Sequence, residues 1–399
     1  MENIYDPYRK FGLNRIINAA TCLTRLGGSM PHPEVFKAME DASKAYIRIP
    51  VLKSWAGERI RDAMGTEAGL PTAGASNAIL LAAAACIMKG TELERHDPLA
   101  PQTWTKVAQR LPMHTEGLKT EFIVQKSNRN EYDHAVECAG GKMVEVGSEE
   151  KTSIEELDGA FDPNRTAAYY YTFSPSGTGL TLKAFTEVAH GNGVPVIVDA
   201  APYLTHKVVP RRLISEGADL LIFSGGKQLG GPNNTGILAG RGDLVKLAHL
   251  QSYPFDGIGR SAKMSREAIV GLVKALELFM ERDDDAYYRV MEEKTRRLSE
   301  KMNEIPGVIS GVIYEPTTVE GILGPSYAFL ELEDEAGISL KRLHSELLQG
   351  TPAIETLLEP YFIIPDSGGK ITIKVEHLLE GDERIIRDRV KEIVENARA

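Results

Sequence analysis

The sequence predicts an α/β protein with a large, mostly parallel sheet and a smaller α+β domain at its C-terminal end. Between about residues 120 and 240, short β-branched and aromatic runs alternate with helix-length segments. Runs apolar on both faces belong to strands that helices cover on both sides. Beyond Arg260 the pattern changes: it is helical almost without a break from Met264 to Met302, then reads strand, strand, helix, strand, helix. The length, 399 residues with 42% apolar content, suits two or three domains with a substantial core.

In chain order, residues 1–65 form an N-terminal segment, 66–265 the large domain, and 266–399 a linking helix and the small domain. The large domain opens with "TAGASNAILLAAAA", an Ala-rich helix entered through Gly74. "LERHDPLAPQTWTKVAQRLPMHTEG" is the least regular stretch, a loop with one short helix. The strands are "EFIVQKS", "KMVEVGS", "TAAYYYTF", "VPVIVDAA", "DLLIFSGG" and "TGILAG". In "TLKAFTEVAHGNG", Leu182, Phe185, Val188 and Ala189 share a helix face, and Gly191 or Gly193 supplies the stop. A charged "ERDDD" interrupts the later helical stretch. The small domain follows as "GVISGVIYEP", "YAFLELED", "SLKRLHSELLQG", "GKITIKVEH" and "DERIIRDRVKEIVENA".

Composition limits the partners. Lys+Arg is 46 against Asp+Glu at 56, and a net charge of -10 opposes nonspecific attraction to nucleic acid or anionic lipid. Cys22, Cys86 and Cys138 are odd in number and far apart, which fits reduced thiols in a cytoplasmic protein. The longest apolar run, "AILLAAAACIM" from Ala78 to Met88, falls short of the roughly 20 residues of a membrane span. The N-terminal "MENIYDPYRK" has no apolar signal core.

In an open parallel sheet, ligands bind beyond the carboxyl ends of the strands, so the residues that end each apolar run carry the interest. "DLLIFS" runs into Gly225, Gly226 and Lys227. An amine held among small residues, partly out of water, is a good nucleophile toward carbonyls, as a Schiff-base lysine must be; alone, it would as readily snorkel to solvent. "VPVIVDAAP" ends in Asp199, a carboxylate that suits a pyridinium nitrogen or, equally, a helix cap or a metal ion. Ala201, two residues on, leaves a flat surface for a ring. Gly74, Ala75, Ser76 and Asn77 open a helix whose N–H groups and dipole favour a phosphate, though such helix starts also serve packing. Ser224 adds a hydroxyl nearby. "YYYTFSPSGTG" ends at Ser174, a donor for a phenolic oxygen or simply part of a turn.

Together these are the parts that pyridoxal 5'-phosphate (PLP) requires. There is no Gly-x-x-x-x-Gly-Lys-Ser/Thr loop, no Gly-x-Gly-x-x-Gly after a strand, and no Cys/His cluster at metal-ligand spacing.

"TAGASNA", "VPVIVDAAP" and "FSGGKQLGGPNNTGILAG" resemble fold-type I PLP enzymes, with the aminotransferase-like fold of PLP-dependent transferases. "INAATCLTRLGGSMPHPEV", "RNEYDHAVECAGGKMVEVG" and "DGIGRSAKMSREAIVGLVKALELF" narrow the resemblance to the group of selenocysteine synthase (L-seryl-tRNA selenium transferase) and D-glucosaminate-6-phosphate ammonia-lyase, over about residues 12 to 390. The resemblance implies that Lys227 holds PLP as a Schiff base, Asp199 faces the ring nitrogen, and Gly74 to Asn77 with Ser224 hold the phosphate. It implies that Arg260, in "IGRSAK", grips an anionic group of the substrate, for which a guanidinium fork is suited; a surface ion pair is the plainer role. Arg25, in "TRLGGS", is a further substrate-side residue.

Two departures sit on the substrate side. Asn128 stands where a ring-stacking histidine is expected, and no arginine follows Pro-x-Ile in "QGTPAIETLLEP". The shared motifs begin within the first 20 residues, so the expectation is that no tRNA-binding domain precedes them. The resemblance therefore implies a lyase acting on a small amino acid or amino sugar acid by α,β-elimination with release of ammonia, Lys227 serving as general base. Selenium transfer, transamination, racemisation, decarboxylation and retro-aldol cleavage remain open, as does a non-catalytic PLP-binding regulatory protein. A homodimer or larger homo-oligomer is expected, with "TRLGGS" and "LKSWAGERI" at the boundary. Trp55 and Arg59 are placed to reach a neighbouring site or to pack and solvate their own helix.

Overall fold

The computed structural model describes residues 6–97, 109–317, 321–358, 364 and 366–398. It divides into two compact units, Gly28–Arg282 and, together, Met1–Gly27 with Asp283–Ala399. The short strand β1 (Ile16–Asn18) belongs to the second of these.

The Gly28–Arg282 unit begins with α1 (Pro33–Ser43) and α2 (Ile49–Met64) and is built on seven strands. They are β2 (Ala68–Thr72), β3 (Glu121–Gln125), β4 (Lys142–Val146), β5 (Thr166–Thr172), β6 (Val196–Asp199), β7 (Leu220–Ser224) and β8 (Gly236–Gly240). Their order is β2-β8-β7-β6-β5-β3-β4, parallel from β7 through β4, with β8 and β2 antiparallel at the other end. The six expected strands are present. The seventh, β2, reads "AGLPT", with a glycine and a proline and no apolar alternation; a sheet edge tolerates such a sequence.

Alternation across the strands feeds two cores. Tyr169, Tyr171, Val196, Val198, Leu221 and Phe223 face one side. Ala168, Tyr170, Ile197, Leu220 and Ile222 face the other. On the second side lies α3 (Ala75–Met88), buried over nearly its whole circumference, so its uninterrupted apolar run is explained by packing.

The remaining helices among the described residues of this unit are α4 (His134–Cys138), α5 (Ile154–Gly159), α6 (Leu182–Gly191), α7 (Val209–Ser215), α8 (Gly242–Gln251) and α9 (Arg266–Glu281). In α6 the buried stripe is Leu182, Phe185, Thr186 and Ala189, with Val188 at its margin. Thr186 is tolerated inside because its hydroxyl donates to the Lys183 and Glu216 carbonyls. Of the expected irregular stretch, residues 98–108 lie outside the described residues, and Glu92–Arg95 forms one 3₁₀ turn.

In the other unit, α10 (Asp284–Met302) is capped by Asp283, whose carboxylate accepts from Ala286 N at 3.0 Å. The "ERDDD" interruption is this cap. Strands β9 (Val308–Tyr314) and β10 (Ser326–Leu332), helix α11 (Leu340–Gln349), strands β11 (Ala353–Glu355), β12 (Leu357–Leu358) and β13 (Ile371–Ile373), and helix α12 (Asp382–Arg398) follow. The order β12-β13-β10-β9 is antiparallel throughout. β1 pairs in parallel with β11. Arg15 grips Asp382 with two hydrogen bonds, at 2.6 and 3.2 Å, and both side chains are buried. No described helix is long and apolar enough to cross a membrane.

Candidate active site

The carboxyl ends of β5, β6 and β7 lie side by side, with Thr172 paired to Asp199 and Asp199 to Ile222. Beside them Ser224 pairs with Gly236, and Gly236 with Thr72, two residues before Gly74. Strand register thus brings Gly74, Asp199, Ala201 and Ser224 to one edge of the sheet. Ser224 N donates to Ala201 O at 3.1 Å, which ties the two loops together.

Asp199 is 5% exposed. Its Oδ1 accepts from Ala201 N at 3.0 Å and its Oδ2 from the Tyr170 hydroxyl at 3.4 Å. Burial pushes the carboxyl above its ordinary pKa; the Ala201 N–H, the nearby Lys227 charge and the Tyr170 hydroxyl oppose the shift. Oδ2 keeps lone-pair capacity behind that long bond. A buried carboxylate so placed accepts a cationic N–H well.

Lys227 is half-buried in the turn that follows β7. The glycines around it are required by close approach. A Cβ on Gly225 would fall 2.1 Å from Thr235 Oγ1, and one on Gly226 2.5 Å from Asn233 Cα. Gly226 O also accepts from Ser29 N at 2.9 Å. Next to the lysine, the buried Gln228 Oε1 has no partner among the described residues.

At the start of α3, Gly74 has φ 87° and caps the helix without a side-chain bond. The first intrahelical bond is Ala78 N to Gly74 O, which leaves the N–H groups of Ala75, Ser76 and Asn77 in the unpaired first turn. A Cβ on Gly236 would meet Gly74 C at 2.5 Å, so β8 passes directly against this turn. Ser76 is exposed, and Asn77 Oδ1 accepts from Ala73 N at 3.4 Å. Ser174, after β5, is half-buried, its Oγ accepting from the Tyr203 hydroxyl at 3.4 Å.

A lysine amine in a glycine-lined turn, a buried carboxylate with spare capacity, and a helix N-terminus with no side-chain cap fit the aldehyde, ring nitrogen and phosphate of PLP. The L-seryl-tRNA selenium transferase (SelA) family model matches residues 133–306. The chain is 28% identical over 416 residues to D-glucosaminate-6-phosphate ammonia lyase of Salmonella typhimurium (strain 14028s / SGSC 2262), covering 98% of each. A solved D-glucosaminate-6-phosphate ammonia-lyase matches with a TM-score of 0.81 at 27% identity, covering 100% of both chains. A serine palmitoyltransferase from S. paucimobilis solved with bound PLP–myriocin shares the fold at TM-score 0.56 and 13% identity, over 96% of this chain and 88% of that one.

The chain is a fold-type I PLP enzyme. It resembles the group holding selenocysteine synthase and D-glucosaminate-6-phosphate ammonia-lyase. A 5'-C-glycyluridine monooxygenase-decarboxylase from Streptomyces sp is also similar, 29% identical over 394 residues, 93% of this chain and 92% of its own length.

The other candidates of this PLP enzyme fall into different surroundings. Asn128 is buried, and its Oδ1 accepts from Gln125 Nε2 at 3.1 Å. Arg260 is partly exposed, 3.4 Å from Asp256 Oδ1, with its guanidinium 5.3 Å from the centre of the Tyr253 ring. Arg25 belongs to the other unit, where Nη2 donates to Glu355 Oε1 at 2.5 Å. Trp55 packs on the Leu52, Ala56, Met264 and Ile269 cluster, and Arg59 edges a groove between α2 and α9.

Sequence reasoning missed Tyr170 and Asp133. Tyr170 is fully buried, and burial, then the charge of Asp199, hold its hydroxyl protonated. Asp133 is 1% exposed, with Arg129 Nε at 2.5 Å from Oδ2 and no partner for Oδ1 among the described residues; its charge adds to the upward push on Asp199. Tyr170 was detectable only from strand register, since within "YYYT" it reads as core.

Proposed function

We propose that this PLP enzyme is a lyase that removes a β-leaving group and then ammonia from a small amino acid or amino sugar acid, in the manner of D-glucosaminate-6-phosphate ammonia lyase. The observation that carries this reading is the match to that enzyme along the whole chain, in sequence and in fold.

Bound PLP supplies an electron sink for the charge left at the substrate α-carbon when its proton departs. Lys227 would hold the cofactor through Nζ, and the same Nζ would serve as the base that takes the substrate's α-proton. Asp199 keeps the ring nitrogen protonated, and its burial makes that pairing strong. Ala201 would offer a flat apolar surface to the ring. The N–H groups of Ala75, Ser76 and Asn77, with the Ser224 hydroxyl, take the phosphate oxygens. Ser174 donates to the phenolic oxygen. Arg260 binds the substrate's anionic group, and Asn128 supports Gln125 at the same edge.

The protein acts as a cytoplasmic homodimer. In support, Met30, Phe36, Tyr46, Ile47 and Val51 are exposed apolar side chains clustered in the first helical region, with Tyr46 97% exposed. The three cysteines are free thiols.

The test is to load the protein with PLP and add D-glucosaminate 6-phosphate and a panel of D- and L-amino acids. Ammonia and a 2-keto acid are the expected products, with a visible cofactor band that borohydride abolishes. If no amino compound alters the band or releases ammonia, the lyase reading fails. A second reading, oxygen-dependent decarboxylation, is favoured by the match to the Streptomyces enzyme over 394 residues, 93% of this chain. It predicts dioxygen uptake and carbon dioxide release in place of ammonia.

A further inference from the structure

Lys53, on α2, is the most buried lysine of its unit, at 2% exposed. No carboxylate pairs with it among the described residues. Its Nζ instead donates to Ser252 Oγ at 2.6 Å and to Tyr253 O at 2.7 Å. Ser252 Oγ passes a bond on to His249 O at 2.8 Å. These acceptors begin the turn that ends at Arg260.

The rest of that turn is tied to the end of α8. Gln251 O accepts from Gly259 N at 2.8 Å, and Gln251 Oε1 from Ile258 N at 3.0 Å. Arg260 N donates to Gly257 O at 3.0 Å. Lys53 holds the opposite limb, where Tyr253 supplies both the carbonyl it grips and the ring on which the Arg260 guanidinium rests. Among the described residues, Lys53 is the side-chain donor that reaches this limb from outside the turn.

We propose that Lys53 is a positioning residue: its buried amine fixes the 252–260 turn and, through Tyr253, the pose of Arg260. The proposal rests on the reading of Arg260 as the group that binds the substrate's anion. The charged or titratable neighbours are few. His249, from α8, is held neutral, its pKa lowered to about 4 by burial and then by Lys53. Arg260 and Asp256 lie within the turn itself. The neutral amine has two N–H bonds, matching its two acceptors. Burial, which lowers its pKa to about 7, favours that form. A side chain needed only to fill this space would be apolar and would not carry the desolvation cost of an amine.

The experiment compares the holoenzyme with Lys53→Met by hydrogen exchange at the amides of Ile258, Gly259 and Arg260, by melting temperature, and by kcat and KM for D-glucosaminate 6-phosphate. We expect exchange about tenfold faster at those amides with no drop in melting temperature. KM should rise about tenfold with kcat within about twofold, and Lys53→Met should add nothing to KM in an Arg260→Met background. Unchanged exchange at the three amides overturns the proposal, and so does a KM effect that persists in full without Arg260. Faster exchange combined with an Arg260→Met enzyme of normal KM removes the anion-binding role of Arg260 and leaves the pinning of the turn established.

Discussion

Replacing Lys53 with methionine should stabilise the protein at neutral pH, and the size of the gain follows from the burial of the amine. Its pKa is lowered from 10.5 to about 7. At about 1.36 kcal/mol per unit, the buried amine costs roughly 5 kcal/mol of folding stability below pH 7 and about 4 at pH 7. Methionine fills nearly the same volume without that cost, but gives up two hydrogen bonds of about 1 kcal/mol each and leaves Tyr253 O short of a donor. The net expectation at pH 7 is a gain of about 2 kcal/mol, or a rise of roughly 4–8 °C in melting temperature for a unit of this size. The sign reverses with pH. Between about pH 7 and 10.5 the unfolded chain binds a proton that the folded protein has released, so the wild type gains stability as pH rises through that window. The advantage of the variant shrinks accordingly and becomes a small deficit near pH 10. Urea titrations of wild type and Lys53→Met at a series of pH values between 6 and 10 measure this directly. A variant that is less stable at pH 7, by an amount independent of pH, would refute the reasoning.

The other predictions concern the cofactor edge and the smaller unit. Lys227→Ala should bind PLP without the borohydride-sensitive band and release no ammonia, which absorbance and a coupled ammonia assay check. Asp199→Asn should stabilise the cofactor-free protein, because a carboxyl whose folded pKa is raised loses stability as pH climbs from 3.8 through that pKa. The same change should lower kcat/KM by about two orders of magnitude, the scale for losing an oriented charge. Gly236→Ala drives a methyl group into the Gly74 backbone and should weaken PLP binding about tenfold in fluorescence titration. Arg15→Met leaves the Asp382 carboxylate buried and unpaired and should cost about 3–5 kcal/mol in urea unfolding.

What the sequence conveyed, and what it withheld, divides along physical lines. The strands from β3 to β8 were legible as short apolar runs between helix-length segments, and the helices of the small unit by their periodic apolar stripes. Strand β2 was not, since an edge strand with Pro71 and Gly69 carries no alternation, and β1, β11 and β12 are three residues long or fewer. At the candidate site, Lys227 and Asp199 stand out in the sequence as charges ending apolar runs. Tyr170 and Asp133 did not, because their bearing on Asp199 comes from strand register and not from spacing along the chain. Lys53 was hidden for a related reason: within "LKSWAGERI" it looks like one more polar position on an amphipathic helix, and only tertiary packing takes it out of water.

The site divides its labour between elements of different rigidity, and this explains how one scaffold accommodates different chemistry. The proposed cofactor contacts come from strand ends and the start of α3, which the two cores hold from both sides. The proposed anion contact of the substrate, Arg260, comes from a turn held by Gln251 and Lys53. Two relatives of nearly equal similarity, an ammonia lyase and a monooxygenase-decarboxylase, break different bonds. A shift in the anchoring of that turn would redirect the substrate while leaving Lys227 and Asp199 untouched. Exchanging the whole 252–260 turn with that of the decarboxylase should therefore lower ammonia release and raise carbon dioxide release in the same holoenzyme, with its visible band unchanged. A swap that abolishes the band, or one that leaves the product ratio alone, would show that the choice of bond is made elsewhere.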